Sequence, residues 1–291
     1  GSLMRHRLPL SRRRSIASEQ PFHKAAQLMQ KGSSVALSVN RSWLYTLWFG
    51  WYSRRQFRRF FNSVRVVMDP ETLRMERGVP VVFYANHAYW WDGFWSQLCT
   101  EKYFHQNLFI AIEEPQLRKH RFFTRIGAFS ILRSNARSAL RSLEYAAELL
   151  LQPSGRQNAL WIFPQGELHH VDWRPLGFFR GTATLVSRVL ARSPSIYLVS
   201  VVSRIEYLDE QRPELFLSFK QPLKLSPDTC PGMDALTDLM ERTTAMHLDE
   251  LKEMVVNRQL QKAETVVIGT PSINRRVETL GRIMRFWRRE K

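Results

Sequence analysis

Cysteine is scarce in this sequence: Cys99 and Cys230 are the only two in 291 residues, and they lie far apart. Neither a disulfide framework nor a paired-cysteine zinc site can be built from them, so a reducing, intracellular setting is expected. No run approaches the ~18 consecutive apolar residues of a membrane-spanning helix. Internal repeats and low-complexity linkers are missing from the central part. Acidic residues are absent from one stretch, residues 41–65, and nearly so from residues 1–40, where one Glu stands against seven Lys and Arg. These absences exclude disulfide-rich secreted scaffolds and helical membrane spanners. A content of 44% hydrophobic and 12% aromatic residues excludes a disordered chain. The length suits one large α/β domain with appendages.

The positive charge is concentrated at the ends. The net charge is +17, while residues 66–270 hold 23 residues of each sign. The sequence therefore divides into a basic extension (1–40), an aromatic and basic segment (41–65), a charge-balanced body (66–270) and a basic tail (271–291). Basic ends on a neutral body call for an anionic surface, lipid headgroups or nucleic acid. Residues 41–65 favour lipid, because nine aromatics accompany six Arg there. Trp43, Leu44, Leu47, Trp48, Trp51 and Tyr52 open the segment. Phe57, Phe60, Phe61 and Val64 then recur at i, i+3, i+4 and i+7, with Arg55, Arg58, Arg59 and Arg65 beside them. This pattern predicts an amphipathic helix lying in a bilayer interface. The competing reading packs the aromatics into the body and leaves the arginines solvated. Arg282–Arg289 offers a second, weaker surface contact.

In the body, short apolar runs alternate with helical patterns. Strands are predicted at 80–85, 108–112, 159–163, 196–202 and 215–219. Helices are predicted at 92–103, 135–152 (capped by Ser134 or Asn135), 181–192 and 233–257. That alternation predicts an α/β fold: a single domain whose mostly parallel central sheet is flanked by helices, with the amphipathic segment docked at its N-terminal side.

Chemistry concentrates after the first strand, at Asn86-His87-Ala88-Tyr89-Trp90-Trp91-Asp92. Loops leaving strand C-termini build the sites of open α/β sheets. On one continuous helix, residues five apart point about 140° away from each other. His87 and Asp92 meet only if His87 lies in the turn and Asp92 at the helix start. A carboxylate there would fix the imidazole tautomer that leaves the other nitrogen basic. A capping Asp beside an unrelated His fits the spacing equally well. Trp90, Trp91, Phe94 and Trp95 crowd the same helix, as core or as an apolar wall.

An NHxxxxD sequence after an apolar strand resembles the first motif of the glycerolipid acyltransferases, typified by lysophosphatidate acyltransferase. Glu113–Pro115, Phe122-Phe123 and Gly127–Arg133 are similar to the second block, Phe163-Pro164-Gln165-Gly166-Glu167 to the third, and Arg180–Ala183 with Leu198–Val202 to the fourth region. The blocks follow in family order over about residues 78–205. The resemblance implies transfer of a fatty acyl group from acyl-CoA or acyl-carrier protein to a lipid hydroxyl. It makes His87 the general base and Asp92 its orienting partner. It implies no acyl-enzyme, no metal and no cofactor beyond the thioester co-substrate. It assigns substrate contacts to Asn86, Arg133, Phe163, Pro164, Gln165, Gly166, Glu167, Gly181 and Thr182.

The third block departs from its usual FPEGTRS form: Gln165 stands at the Glu position and Leu168 at the Arg position. In the fourth, Ser200 replaces a Pro. The lost Arg would have been a bidentate phosphate partner, a role left to Arg133 or Arg174, and a neutral acceptor such as a sugar or lipid alcohol becomes a live alternative to a lysophospholipid. His169, His170 and Asp172 read as solvated loop residues. The resulting expectation is an O-acyltransferase held peripherally on the cytoplasmic face of an anionic membrane, with a lipid-binding pseudoenzyme and a nucleic-acid binder as rivals.

Overall fold

The computed structural model describes residues 37–133 and 135–270. Most of the basic extension, the 271–291 tail with its Arg282–Arg289 stretch, and Ser134 lie outside the described residues. Among these, a helix α1 (Trp43–Phe60) leads into strand β1 (Ser63–Met68). Then follow β2 (Val81–Ala85), α2 (Asp92–Cys99), β3 (Asn107–Glu113), a short α3 (Glu114–Lys119), β4 (Ala128–Ile131), α4 (Ala136–Leu151) and β5 (Asn158–Ile162). The remainder is α5 (Gly181–Leu190), β6 (Ile196–Glu206), β7 (Glu214–Phe219), β8 (Leu223–Leu225), α6 (Met233–Val256) and β9 (Glu264–Ile268).

The strands form one sheet in the order β4-β3-β5-β2-β6-β7-β1-β9, with β8 beside β6. From β4 to β6 every pairing is parallel, and β1 also runs parallel to β7. The β6–β7, β6–β8 and β1–β9 pairings are antiparallel. The central strands are apolar throughout because both sheet faces are covered. Alternate residues serve opposite layers: Val82 and Tyr84 of β2 join the layer of α4, α5 and α6, while Val81, Phe83 and Ala85 join that of α1 and α2.

The single helical arc expected across residues 57–64 is not formed. Helix α1 ends at Phe60 and Phe61 is extended (φ −113°, ψ 150°). Val64 thus belongs to a strand, and Phe57, Phe61 and Val64 are buried in the body. The exposed apolar residues of α1 are Trp43, Leu44, Leu47, Trp48 and Trp51, with Phe60 at its end. Ser42 caps the helix by accepting from the Tyr45 N–H. Gly50 faces inward because the Glu101 carboxylate lies against it, leaving no room for a Cβ. Arg54 (2.6 Å) and Gln97 (2.8 Å) hold that carboxylate, so Arg54 is tied to the body rather than free for a surface. Arg65 is likewise paired, with the buried Glu214. No helix among the described residues is long and apolar enough to cross a membrane.

The helix expected at 92–103 is present: α2 covers Asp92–Cys99, and the chain continues helically as a π turn over Thr100–Phe104 before stopping at His105 with φ 51°. Asn135 caps α4 by accepting from the Ser138 N–H at 2.8 Å.

Candidate active site

The parallel strands β2, β5 and β6 end side by side, and the loops leaving them meet. Asn86, the first residue after β2, is buried and extends the sheet by one rung. Its Oδ1 accepts from the Ser203 N–H at 2.9 Å, and its Nδ2 donates to the Ser203 carbonyl at 3.2 Å. The chain then leaves the sheet, which places His87 in a turn. The turn is pinned from the β5 side: the His87 N–H donates to Gln165 Oε1 at 2.7 Å, and the His87 carbonyl accepts from the His169 N–H at 2.9 Å.

Asp92 opens α2, and its carboxylate reaches back to His87 Nδ1 at 2.7 Å. The geometry that the five-residue spacing demands is therefore present. Asp92 is only 1% exposed, and a buried carboxylate needs donors. It has four: His87 Nδ1–H, the Tyr89 N–H (3.3 Å), Trp95 Nε1–H (2.9 Å) and the Ser203 hydroxyl (3.4 Å). Its position in the first turn of α2 adds the favourable end of the helix dipole. Because an ionised carboxylate only accepts, the Nδ1–H tautomer is fixed and Nε2 keeps its lone pair. Phe163 stacks on the imidazole (centroids 4.7 Å apart, 29° between planes), and Trp95 buttresses Phe163 edge-on. His87 remains partly exposed, and Nε2 has no hydrogen bond to any described residue. Such an imidazole can take a proton from a hydroxyl delivered from solvent.

The Phe163–Gly166 segment is a tight turn closed by the Gly166 N–H on the Phe163 carbonyl (2.9 Å). Gly166 has φ 73°, a conformation that favours glycine, and the Arg133 guanidinium lies against its Cα. Arg133 donates to the Gly166 carbonyl (3.2 Å), lies over the Phe179 ring and forms an ion pair with Glu113. The Pro164 carbonyl accepts from the Phe179 N–H (3.0 Å). Glu167 projects to solvent beside His169 (3.4 Å).

The structure thus gathers Asn86, His87, Asp92, Arg133, Phe163, Pro164, Gln165, Gly166 and Glu167 in one region. Arg174 is directed elsewhere: it donates to Asp249 of α6 (3.1 Å) and to the Val171 and Trp173 carbonyls. Gly181 and Thr182 start α5, with Thr182 buried and its hydroxyl unpartnered among the described residues; neither bonds to the His87 turn. Asp172 is an exposed loop residue, as expected, and also a clasp. It binds Arg204 (2.9 and 3.2 Å) and Lys252 (3.2 Å), and the Arg204 hydrogen bonds chiefly hold its carboxyl down at about 2. Ser203, the indole N–H of Trp95 and the Tyr89 hydroxyl, which accepts from the Ile205 N–H (3.1 Å), were not foreseen as site supports. Their role depends on β6 pairing beside β2, which no local sequence pattern signals. Ser200, in the place of the usual Pro, instead joins a buried chain with His247 and Ser218.

Both cysteines are free, and burial pushes the Cys99 thiol up, away from nucleophilic use. Among the described residues, no group of three or more His, Cys, Asp or Glu could hold a metal ion.

Comparison with curated proteins gives no match. The acyltransferase family model matches residues 65–204, a stretch that runs from within β1 to within β6 and holds the His87–Asp92 pair and the Phe163–Glu167 turn. Residues 65–204 thus form an acyltransferase family domain of the glycerolipid and lysophosphatidate type.

Proposed function

We propose that this acyltransferase moves a fatty acyl group from a thioester, acyl-CoA or acyl-carrier protein, to a hydroxyl of a lysophospholipid or related lipid acceptor at a membrane surface. The observation that carries the reading is the His87–Asp92 pair, with Nδ1 committed to a buried carboxylate and Nε2 open. In the proposed step the acceptor hydroxyl gives its proton to Nε2 as its oxygen attacks the thioester carbonyl. The C–S bond then breaks, and the imidazolium returns the proton to the departing thiolate. Asp92 stabilises the imidazolium formed in between. No acyl-enzyme is required. Asn86 and Gln165 act as positioning residues, since both fix the turn that carries His87.

Membrane association belongs to the same proposal. The exposed Trp43, Leu44, Leu47, Trp48 and Trp51 of α1 continue through ring contacts to Phe122 and Phe94, and Trp90 joins from the turn after His87. Arg55, Arg58 and Arg59 lie on the same helix without acidic partners among the described residues. An apolar surface rimmed by cations suits a peripheral position on the anionic, cytoplasmic face of a bilayer. The test is thiol release from long-chain acyl-CoA or acyl-carrier protein in vesicles containing hydroxyl lipids, with the ester detected by mass spectrometry. Ester formation that depends on His87 supports the reading. Absence of thiol release with every donor and acceptor class contradicts it.

A further inference from the structure

The charge around His87 carries information about the acceptor. Arg133 is the one guanidinium that touches the Phe163–Gly166 turn, and Glu113 from the end of β3 neutralises it. Three further cations nearby are paired: Arg174 with Asp249, Arg204 with Asp172 and Glu206, and His169 with Glu167. Glu167 stands 70% exposed, and Leu168 beside it offers an exposed isobutyl group. A phosphate monoester carries a charge of about −1.5 to −2 at neutral pH and has almost no proton to donate. Brought to this mouth it would meet the exposed Glu167 and an Arg133 whose charge Glu113 already balances, a poor setting for a dianion in a partly desolvated site.

The same mouth suits hydroxyl groups. Carboxylates accept from several O–H donors at once. Exposed aromatic faces flank the turn: Trp173 stacks on His169, whose backbone N–H holds His87, and Phe179 is hydrogen-bonded to Pro164. Flat apolar faces beside acceptor-only groups match the C–H faces and O–H rims of a polyol.

We infer that the acceptor headgroup is neutral and polyhydroxylated, a sugar or glycerol without phosphate, and that the Glu113–Arg133 ion pair sets this preference. The inference rests on the acyl-transfer reading and narrows it to a substrate class. Glu113 and Glu167 receive headgroup hydroxyls, and one further hydroxyl lies at His87 Nε2. Arg133, held by Glu113, supports the turn instead of binding an anion.

Three acceptors with the same acyl chain test this: a monoacylglycerol, a glucosylated monoacylglycerol and lysophosphatidate, each with one acyl thioester. The wild-type protein should show kcat/KM at least about tenfold higher for a neutral acceptor than for lysophosphatidate. Glu113→Gln, which frees Arg133, should narrow that ratio at least about tenfold through a lower KM for lysophosphatidate. Which neutral lipid is faster tells sugar from glycerol. A wild-type preference for lysophosphatidate overturns the inference and leaves acyl transfer standing, and so does a folded Glu113→Gln protein with an unchanged ratio. If Glu113→Gln does not fold, the wild-type ratio alone decides. Thiol release with none of the three overturns this inference, whereas the acyl-transfer reading falls only if no donor and no acceptor class gives thiol release.

Discussion

Two histidines show how differently one side chain is used on the two sides of this sheet. His87 has one ring nitrogen on a carboxylate and the other open, at the end of β2. His247, in the middle of α6, is 2% exposed and has both nitrogens occupied by hydroxyls, Nδ1 with Ser200 (3.1 Å) and Nε2 with Ser218 (2.8 Å). Burial first, and nearby Lys220 second, pushes the His247 imidazole down to about 3, so it stays neutral at physiological pH. A histidine with a carboxylate on one nitrogen and the other open has the geometry of the proposed base. A histidine between two serines is a strut that satisfies buried hydroxyls.

The strongest way to break this comparison is to remove the open histidine. His87→Ala should lower thioester turnover by about 10²–10⁴ while circular dichroism and thermal unfolding stay near wild type, because the ring is partly exposed and its loss creates no deep cavity. Asp92→Asn should cost a similar order, since an amide can donate to Nδ1 and so favours the tautomer with a protonated Nε2. Steady-state kinetics on the purified variants checks both.

The two layers differ at their outer surfaces as well, and α1 sharpens that difference. Arg55, Arg58 and Arg59 changed together to Gln should weaken binding to anionic vesicles by roughly 10²-fold, at ~1 kcal/mol per cation near the surface. Vesicle co-sedimentation at physiological salt reads this. Arg54 is left in place because it holds Glu101 against Gly50. Turnover of a short-chain soluble acceptor should be unchanged.

The smallest expected effect lies at the strut. His247→Gln should cost about 1–3 kcal/mol of stability at neutral pH through disturbed buried hydrogen bonds, with turnover per folded molecule preserved. Its pH signature distinguishes it from His87. The unfolded chain protonates this residue as pH falls through about 6.5, whereas the folded chain resists until about 3. The folded state therefore loses stability as pH falls across that window, and the variant should lose less of it. Chemical denaturation at several pH values measures the difference.

Much of the site could be read in the sequence because it is local. Asn86, His87 and Asp92 fall within seven residues, and the apolar run before them marks a strand end. Helix α4 is equally plain in the sequence, with a cap at Asn135 and an apolar face through Leu143, Ala146, Ala147 and Leu150. What could not be read was long-range. β1 and β9 pair with each other across the length of the chain, and neither has a pattern that requires a strand. The end of α1 carries no glycine or proline, so Val64 continued the helical spacing by coincidence while tertiary pairing pulled it into the sheet. β4 is four residues long and follows Gly127, whose φ of 112° and close approach to the Leu108 carbonyl belong to the folded state. Arg133 stands out in the sequence as a site residue, but its partner Glu113 sits twenty positions away at the end of β3, and no local pattern announces that pairing.

The central claim is that a hydroxyl activated at His87 attacks the thioester directly. It is tested most directly by measuring thiol release with and without acceptor lipid, under single-turnover conditions with protein in excess over thioester. The account predicts that release requires acceptor, matches ester formation mole for mole and disappears in His87→Ala. A stoichiometric burst of thiol without acceptor, leaving an acylated protein, would contradict it.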